Sequence, residues 1–213
     1  MSIKAKSKDR VVDHGEVFTS EREVNDMLDL VKQETERIDS RFLEPACGTG
    51  NFLVEILNRK LKIVKYRYKK IQLEFELNII IAISSIYGVD ILQDNVIECR
   101  ERLFEIFDDI YFKLYKADCK EDCRKSVKLI LNRNILWGDA LDFTNPETKE
   151  PIVFSEWSAI NGSRIKRRDY VFKYLVEQTH QFSMFNDEGN PAAINEPVKD
   201  YPITHFLKIS ENA

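Results

Sequence analysis

Two things are scarce in this chain of 213 residues: cysteine, with four, and histidine, with three. Cys47, Cys99, Cys119 and Cys123 show no spacing of a secreted disulfide framework, so the expectation is reduced thiols in a cytoplasmic protein. Cys119 and Cys123 lie close together, but His14, His180 and His205 are far away in sequence, so no zinc ligand set is complete and no metal is expected. There is no apolar run of the ~18 residues a membrane helix needs. The longest is Ile79-Ile80-Ile81-Ala82-Ile83, which reads as a buried helix end. The first ten residues are polar, with Lys4, Lys6, Lys8 and Arg10, and no export signal follows. Excess positive charge is also lacking. The net charge of −4 excludes a global basic field, so any nucleic acid must meet a local patch. No repeats or low-complexity segments occur.

Hydrophobic residues make up 43% and charged residues 32%, enough apolar material for the real core of one domain with a charged surface. Residues 1–12 read as a disordered lead-in, and 13–213 as a single domain with an irregular tail from about 180, where Gly189, Pro191, Pro197 and Pro202 fall.

The central stretch is Phe42-Leu43-Glu44-Pro45-Ala46-Cys47-Gly48-Thr49-Gly50-Asn51-Phe52. It reads as a short strand, a glycine turn and a helix capped by Asn51. In an open α/β sheet such a turn faces outward above the carboxyl end of its strand, where ligands bind. The third glycine of the dinucleotide fingerprint is missing, because Leu53 stands in its place. A bare Gly-x-Gly turn also fits an ordinary strand-to-helix junction.

Upstream, Val24, Met27, Leu28 and Val31 recur at helical spacing, and Ser20 with Glu23 forms a capping box. From about Asn58 to Ile83 no Gly or Pro interrupts a helical pattern. Its basic run, Arg59 to Lys70, is either a solvated face or a nucleic-acid or partner surface. Strands follow at Ile86–Ile91 and at Asn134–Leu141, with a helix from Asp94 to about Tyr115 between them. Asp90 closes the second strand, where a carboxylate can accept from both hydroxyls of a ribose or simply cap the next helix. Asp139 closes the third, unless it is only an exposed Gly-Asp turn. Ile152-Val153-Phe154 reads as a fourth strand.

The string Glu44 to Phe52 closely resembles the cofactor motif of class I S-adenosylmethionine (SAM) methyltransferases, most of all the adenine-N6 DNA methyltransferases of restriction–modification systems. Gly15-Glu16-Val17-Phe18-Thr19, Gly88-Val89-Asp90-Ile91 and the Asp139 segment resemble further motifs of that family. The resemblance covers roughly residues 13–157 and implies a Rossmann-like α/β fold, a mainly parallel central sheet with helices on both faces. It implies SAM contacts at Phe18, Thr19, Glu44, Pro45, Ala46, Gly48, Gly50, Asn51, Asp90, Ile91, Asp139 and Ala140. It also implies DNA as partner. The family's (Asn/Asp)-Pro-Pro-(Tyr/Phe) motif, which activates the exocyclic amine and stacks the flipped base, is absent. Ser155-Glu156-Trp157 stand in its place as candidates, Glu156 to accept a proton and Trp157 to stack. Only ~60 residues follow, too few for an ordinary recognition domain. Either a companion subunit supplies recognition or catalysis, or the chain is a SAM-binding module without catalysis, or it methylates another substrate. Arg164, Lys166, Arg167 and Arg168, beside Tyr170 and Phe172, are candidates for nucleic-acid contact, or form a solvated turn before a helix at Tyr170–Gln178.

Overall fold

The computed structural model describes residues 19–178 and 196–212. The lead-in 1–12, Phe18 and the first part of the expected tail lie outside the described residues. Helix α1 spans Glu21–Asp29 and α2 Lys32–Thr35; strand β1 spans Phe42–Glu44. Then come α3 at Asn51–Tyr68, α4 at Gln72–Ser84, β2 at Ile86–Asp90, α5 at Gln93–Tyr115, α6 at Glu121–Asn134 and β3 at Ile135–Trp137. A hairpin follows, β4 at Val153–Ile160 and β5 at Arg164–Val171, then α7 at Phe172–Gln178. Two-residue strands β6 at Lys199–Asp200 and β7 at Thr204–His205 and a 3-10 segment at Phe206–Asn212 complete the described part.

The capping box forms as read: Glu23 N donates to Ser20 Oγ, and Ser20 N donates to the Glu23 carboxylate at 3.0 Å. Val24 and Leu28 are buried, whereas Met27 and Val31 are exposed, so the apolar face of α1 is narrower than its periodicity suggests. Arg59 of α3 anchors that helix, donating to Asn25 Oδ1 at 2.9 Å and pairing with Asp29 at 2.8 Å.

The uninterrupted helix expected from Asn58 to Ile83 breaks between α3 and α4 without Gly or Pro. Tertiary contacts outweigh propensity there. Tyr115 Oη donates to the Lys69 carbonyl at 3.1 Å, satisfying a group the helix end leaves open. Phe75 turns inward to pack edge-on against the Tyr115 ring at 5.3 Å. Most of the basic run is exposed, as a solvated face would be, but Lys60 is fully buried.

Strands β1, β2 and β3 form a parallel sheet in that order, with Glu44 opposite Gly88 and Asp90 opposite Trp137. All five residues of β2 are buried, as a middle strand covered on both faces requires. On one face α3 approaches so closely that a Cβ on Gly88 would come within 2.9 Å of Leu53 Cδ1 and 3.0 Å of Cys47 Sγ. The other face carries a second core of Tyr87, Val89, Ile152, Phe154 and Phe172. The sheet is thus covered by helices on one face and, on the other, by residues of the hairpin and of α7.

The fourth strand expected at Ile152–Phe154 is present as β4, but it runs on to Ile160 and pairs antiparallel with β5 in a separate sheet instead of extending the parallel one. Arg164–Arg168 belongs to β5 rather than to a turn, because alternate residues Ile165, Arg167 and Asp169 point into the interior. Residues 196–212 are also more regular than the expected tail, since Phe206 and Ile209 are buried against the main core.

Candidate functional site

The strand order places the carboxyl ends of β1, β2 and β3 along one edge, with Glu44, Asp90 and the Gly138-Asp139 turn in a row. The β3 turn is tied to its neighbour: Gly138 N donates to the Asp90 carbonyl at 3.0 Å, and the Trp137 indole N–H donates to the Ile91 carbonyl at 2.9 Å. Sequence reading missed Trp137, whose role depends on a register that no local motif encodes.

The glycine turn takes the conformation its glycines permit. Gly48 has φ +52° and Gly50 φ +89°, both left-handed. Gly50 caps α3 with no side-chain hydrogen bond, so Asn51 is the first helical residue and not the cap expected. The freed Asn51 side chain donates from Nδ2 to the Thr19 carbonyl at 3.2 Å, drawing the segment before α1 to the turn. Thr19, Glu44, Ala46, Cys47, Gly48, Thr49, Asn51 and Phe52 enclose a pocket of about 140 Å³. Ligand clefts are commonly ~300–1,000 Å³. This pocket is therefore smaller than a whole ligand cleft. Pro45 lies in the same turn but does not line the pocket.

Burial raises the Glu44 carboxyl above the usual range, while the Ala46 amide, 3.4 Å from Oε1, pulls it back. Asp90 is mostly engaged. Its Oδ2 accepts from Gly48 N at 2.8 Å, and Oδ1 accepts from Leu92 N at 2.9 Å and Asn95 Nδ2 at 3.3 Å. A carboxylate has about four acceptor positions. Asp90 thus has about one left rather than the two a pair of ribose hydroxyls needs, and its evident work here is to tether the glycine turn to β2. Asp139 Oδ1 accepts from Leu141 N at 2.8 Å within its own turn, outside the lining of the pocket. Ile91 is exposed, and Ala140 is half-buried and packs against the core of Val89, Ile152 and Phe172.

The Cys47 thiol is pushed up by its hydrogen bond with Cys99 and by burial, so it stays a neutral thiol under the turn. Arg102 of α5 was also missed. Its Nη1 donates to the Thr49 carbonyl at 2.6 Å, to Thr49 Oγ1 at 3.1 Å and to Asn51 Oδ1 at 3.0 Å.

Ser155, Glu156 and Trp157 do not join this site. Glu156 pairs at 2.6 Å with Arg41, which precedes β1, and Trp157 donates to Asn134 Oδ1 at 3.0 Å just before β3. Both anchors are at the amino ends of the parallel strands, roughly 15 Å from the glycine turn at ~3.3 Å per residue along β2. Trp157 is only 7% exposed, with the Arg167 guanidinium 5.5 Å from its ring, so it has no open face for a base. Ser155 Oγ donates to Asp169 at 2.7 Å and accepts from Arg167 Nε at 3.0 Å.

The four basic candidates separate. Arg167 is buried and holds Asp169 through two bonds of 2.9 Å, closed in turn by Tyr201 Oη, so it presents no charge to a phosphate. Lys166 pairs with Asp200, and Arg168 lies 3.9 Å from Glu156. Arg164 is exposed.

A second cavity, of about 440 Å³, runs beside β1 between Leu43, Tyr87, Phe154, Tyr170 and Phe172, with the Arg41–Glu156 pair among its lining residues. Phe42 N donates toward β2, to the Ser85 carbonyl. By alternation the Leu43 amide and carbonyl point the other way. They have no partner among the described residues, and the Leu43 side chain is 44% exposed.

No family model matches the chain, and no solved structure matches it. Among curated proteins it is similar to the Type II restriction enzyme and methyltransferase RM.Eco57I of Escherichia coli, at 24% identity over 176 residues, which cover 72% of this chain and 17% of that protein. The chain is thus distantly related to a restriction–modification methyltransferase and spans only a small part of that relative's length. Among the described residues no helix is long and apolar enough to cross a membrane.

Proposed function

We propose that the chain binds SAM at the carboxyl edge of its parallel sheet, as a methyltransferase-like component of a restriction–modification system. The observation that carries this reading is the pocket itself. The left-handed Gly48 and the Glu44 of the same turn join Thr19, from the segment before α1, to enclose one cavity at the head of α3, while Gly50 lies outside its lining. The methionine part of SAM lies in that cavity. The ribose reaches the remaining acceptor of Asp90, and the adenine lies over Ile91 and Ala140 toward Asp139. Distant similarity to a protein named for both restriction and methylation favours SAM as the ligand and DNA as the substrate. The resemblance of the turn to adenine-N6 enzymes favours that base.

Transfer depends on a companion polypeptide. Among the described residues no group that would polarise an amine or stack a base stands at the cofactor edge, and Glu156 and Trp157 serve the opposite end of the sheet. Beside β1 lie a strand edge with no pairing strand among the described residues and an apolar cavity, the kind of surface onto which another strand adds. The same burial of Trp157 favours a second reading, a SAM-binding regulatory or assembly module without catalysis.

Calorimetric titration with SAM tests the first step; no heat at high micromolar ligand removes it. Tritiated-methyl transfer to DNA, with and without neighbouring-gene products, separates the rest. Transfer only with a partner supports the subunit reading, transfer by the isolated chain refutes partner dependence, and transfer in neither case favours the module.

A further inference from the structure

We propose that Arg102 is a positioning residue for the methionine end of the cofactor pocket, an inference that rests on the SAM reading above. Its side chain crosses from α5 to the glycine turn and makes three hydrogen bonds there, two to Thr49 and one to Asn51. Asn51 relays the hold, because its Nδ2 donates to the Thr19 carbonyl while its Oδ1 accepts from Arg102. One guanidinium thus fixes both walls of the pocket, the turn between Gly48 and Gly50 and the segment before α1.

The placement has an electrostatic cost that structure alone does not repay. The amino end of α3 carries the positive end of the helix dipole, and a cation is disfavoured there unless an anion joins it. Gly50 caps that helix without a side-chain bond, no residue of its first turn is acidic, and the Asp90 carboxylate meets the turn at Gly48 N. An amino-acid carboxylate in the pocket would meet those amides with Arg102 close behind. Cys99, one helical turn before Arg102 on the same face of α5, sits directly under Gly50, so this face of α5 shapes the turn from below while Arg102 holds it from the side. Without Arg102 two left-handed glycines would flank an untethered Thr49, and the turn would lose its preorganisation.

The test compares two probes. SAM carries the amino-acid arm; 5′-methylthioadenosine carries the same nucleoside without it. Arg102→Ala is expected to weaken SAM roughly tenfold, the effect of losing a set of charged hydrogen bonds, and to leave methylthioadenosine within about twofold. Arg102→Lys, which can reach one or two of the acceptors, is expected to recover part of the loss. Circular dichroism checks each variant, and if Arg102→Ala does not fold, Arg102→Gln carries the same comparison. Equal weakening of both probes means a merely structural residue and overturns the inference, as does unchanged SAM affinity. Failure of the unaltered chain to bind SAM overturns the cofactor reading itself, a result distinguishable from the other two.

Discussion

Replacing Gly50 by Ala adds one methyl group at the most constrained point of the glycine turn. Its φ of +89° is left-handed, which costs a residue with a Cβ roughly 1–2 kcal/mol. The new Cβ would also fall 2.5 Å from Cys99 Sγ and 3.4 Å from Cys99 Cβ, a collision with a buried side chain on α5. Overpacking of this kind costs ~1–3 kcal/mol. The sum, ~2–5 kcal/mol, is a large part of the ~5–15 kcal/mol that holds a domain together. Gly48→Ala provides the control. Its φ of +52° imposes similar backbone strain, but nothing lies within 4 Å of the added Cβ, so only ~1–2 kcal/mol is expected. The Cys99→Ala background separates the two effects, since removing Sγ removes the nearest obstacle. In that background Gly50→Ala should cost ~1–3 kcal/mol less than in the native chain, a coupling typical of residues in contact. Urea unfolding of the native chain and the four variants, followed by circular dichroism, measures each quantity. If Gly50→Ala destabilises no more than Gly48→Ala, or if Cys99→Ala leaves its cost unchanged, the packing of α5 against the turn is not as described.

Lys60 sets a pH dependence. Its ammonium is fully buried, donating to the Ile38 and Ser40 carbonyls and to Ser85 Oγ, and burial pushes its pKa down from 10.5 to about 7. Between those values the unfolded chain holds a proton that the folded one does not, so this group adds stability as pH rises from about 7. The urea midpoint of the native chain should rise relative to that of Lys60→Met between pH 7 and 8.5; a parallel response of the two would contradict it. Trp157→Phe should lower stability by ~1–3 kcal/mol through the lost bond to Asn134 and lost packing. SAM affinity should stay within about twofold, and a large loss of affinity would mean that the hairpin reaches the cofactor edge. Leu43→Pro removes an amide that points away from β2, a substitution edge strands tolerate. It should spare SAM binding and abolish partner-dependent transfer, and full transfer would exclude this edge as the docking surface.

Features written in local chemistry were legible in the sequence. Ser20 and Glu23 are three residues apart and close a capping box wherever a helix starts, and the Gly48–Gly50 turn needs only its own residues to adopt left-handed angles. The parallel strands were found because β2 is continuously apolar up to Asp90. What failed depended on distant partners. In β5 the inward positions alternate correctly, but two of the three are Arg167 and Asp169, an internal ion pair that disguises a strand as a charged loop. Trp157 looked available because nothing near it in sequence reveals Asn134 as its partner. Arg102 stands in a charged run on a long helix, Arg100-Glu101-Arg102, and only the fold turns it toward Thr49.

Hydrogen exchange with and without saturating SAM tests binding at the strand ends most directly. Ligand-induced protection should be confined to residues 44–55, 90–95 and 137–141, the glycine turn with the head of α3 and the carboxyl ends of β2 and β3. Protection concentrated in the β4–β5 hairpin, or no change in the glycine turn, would contradict a cofactor site at this edge.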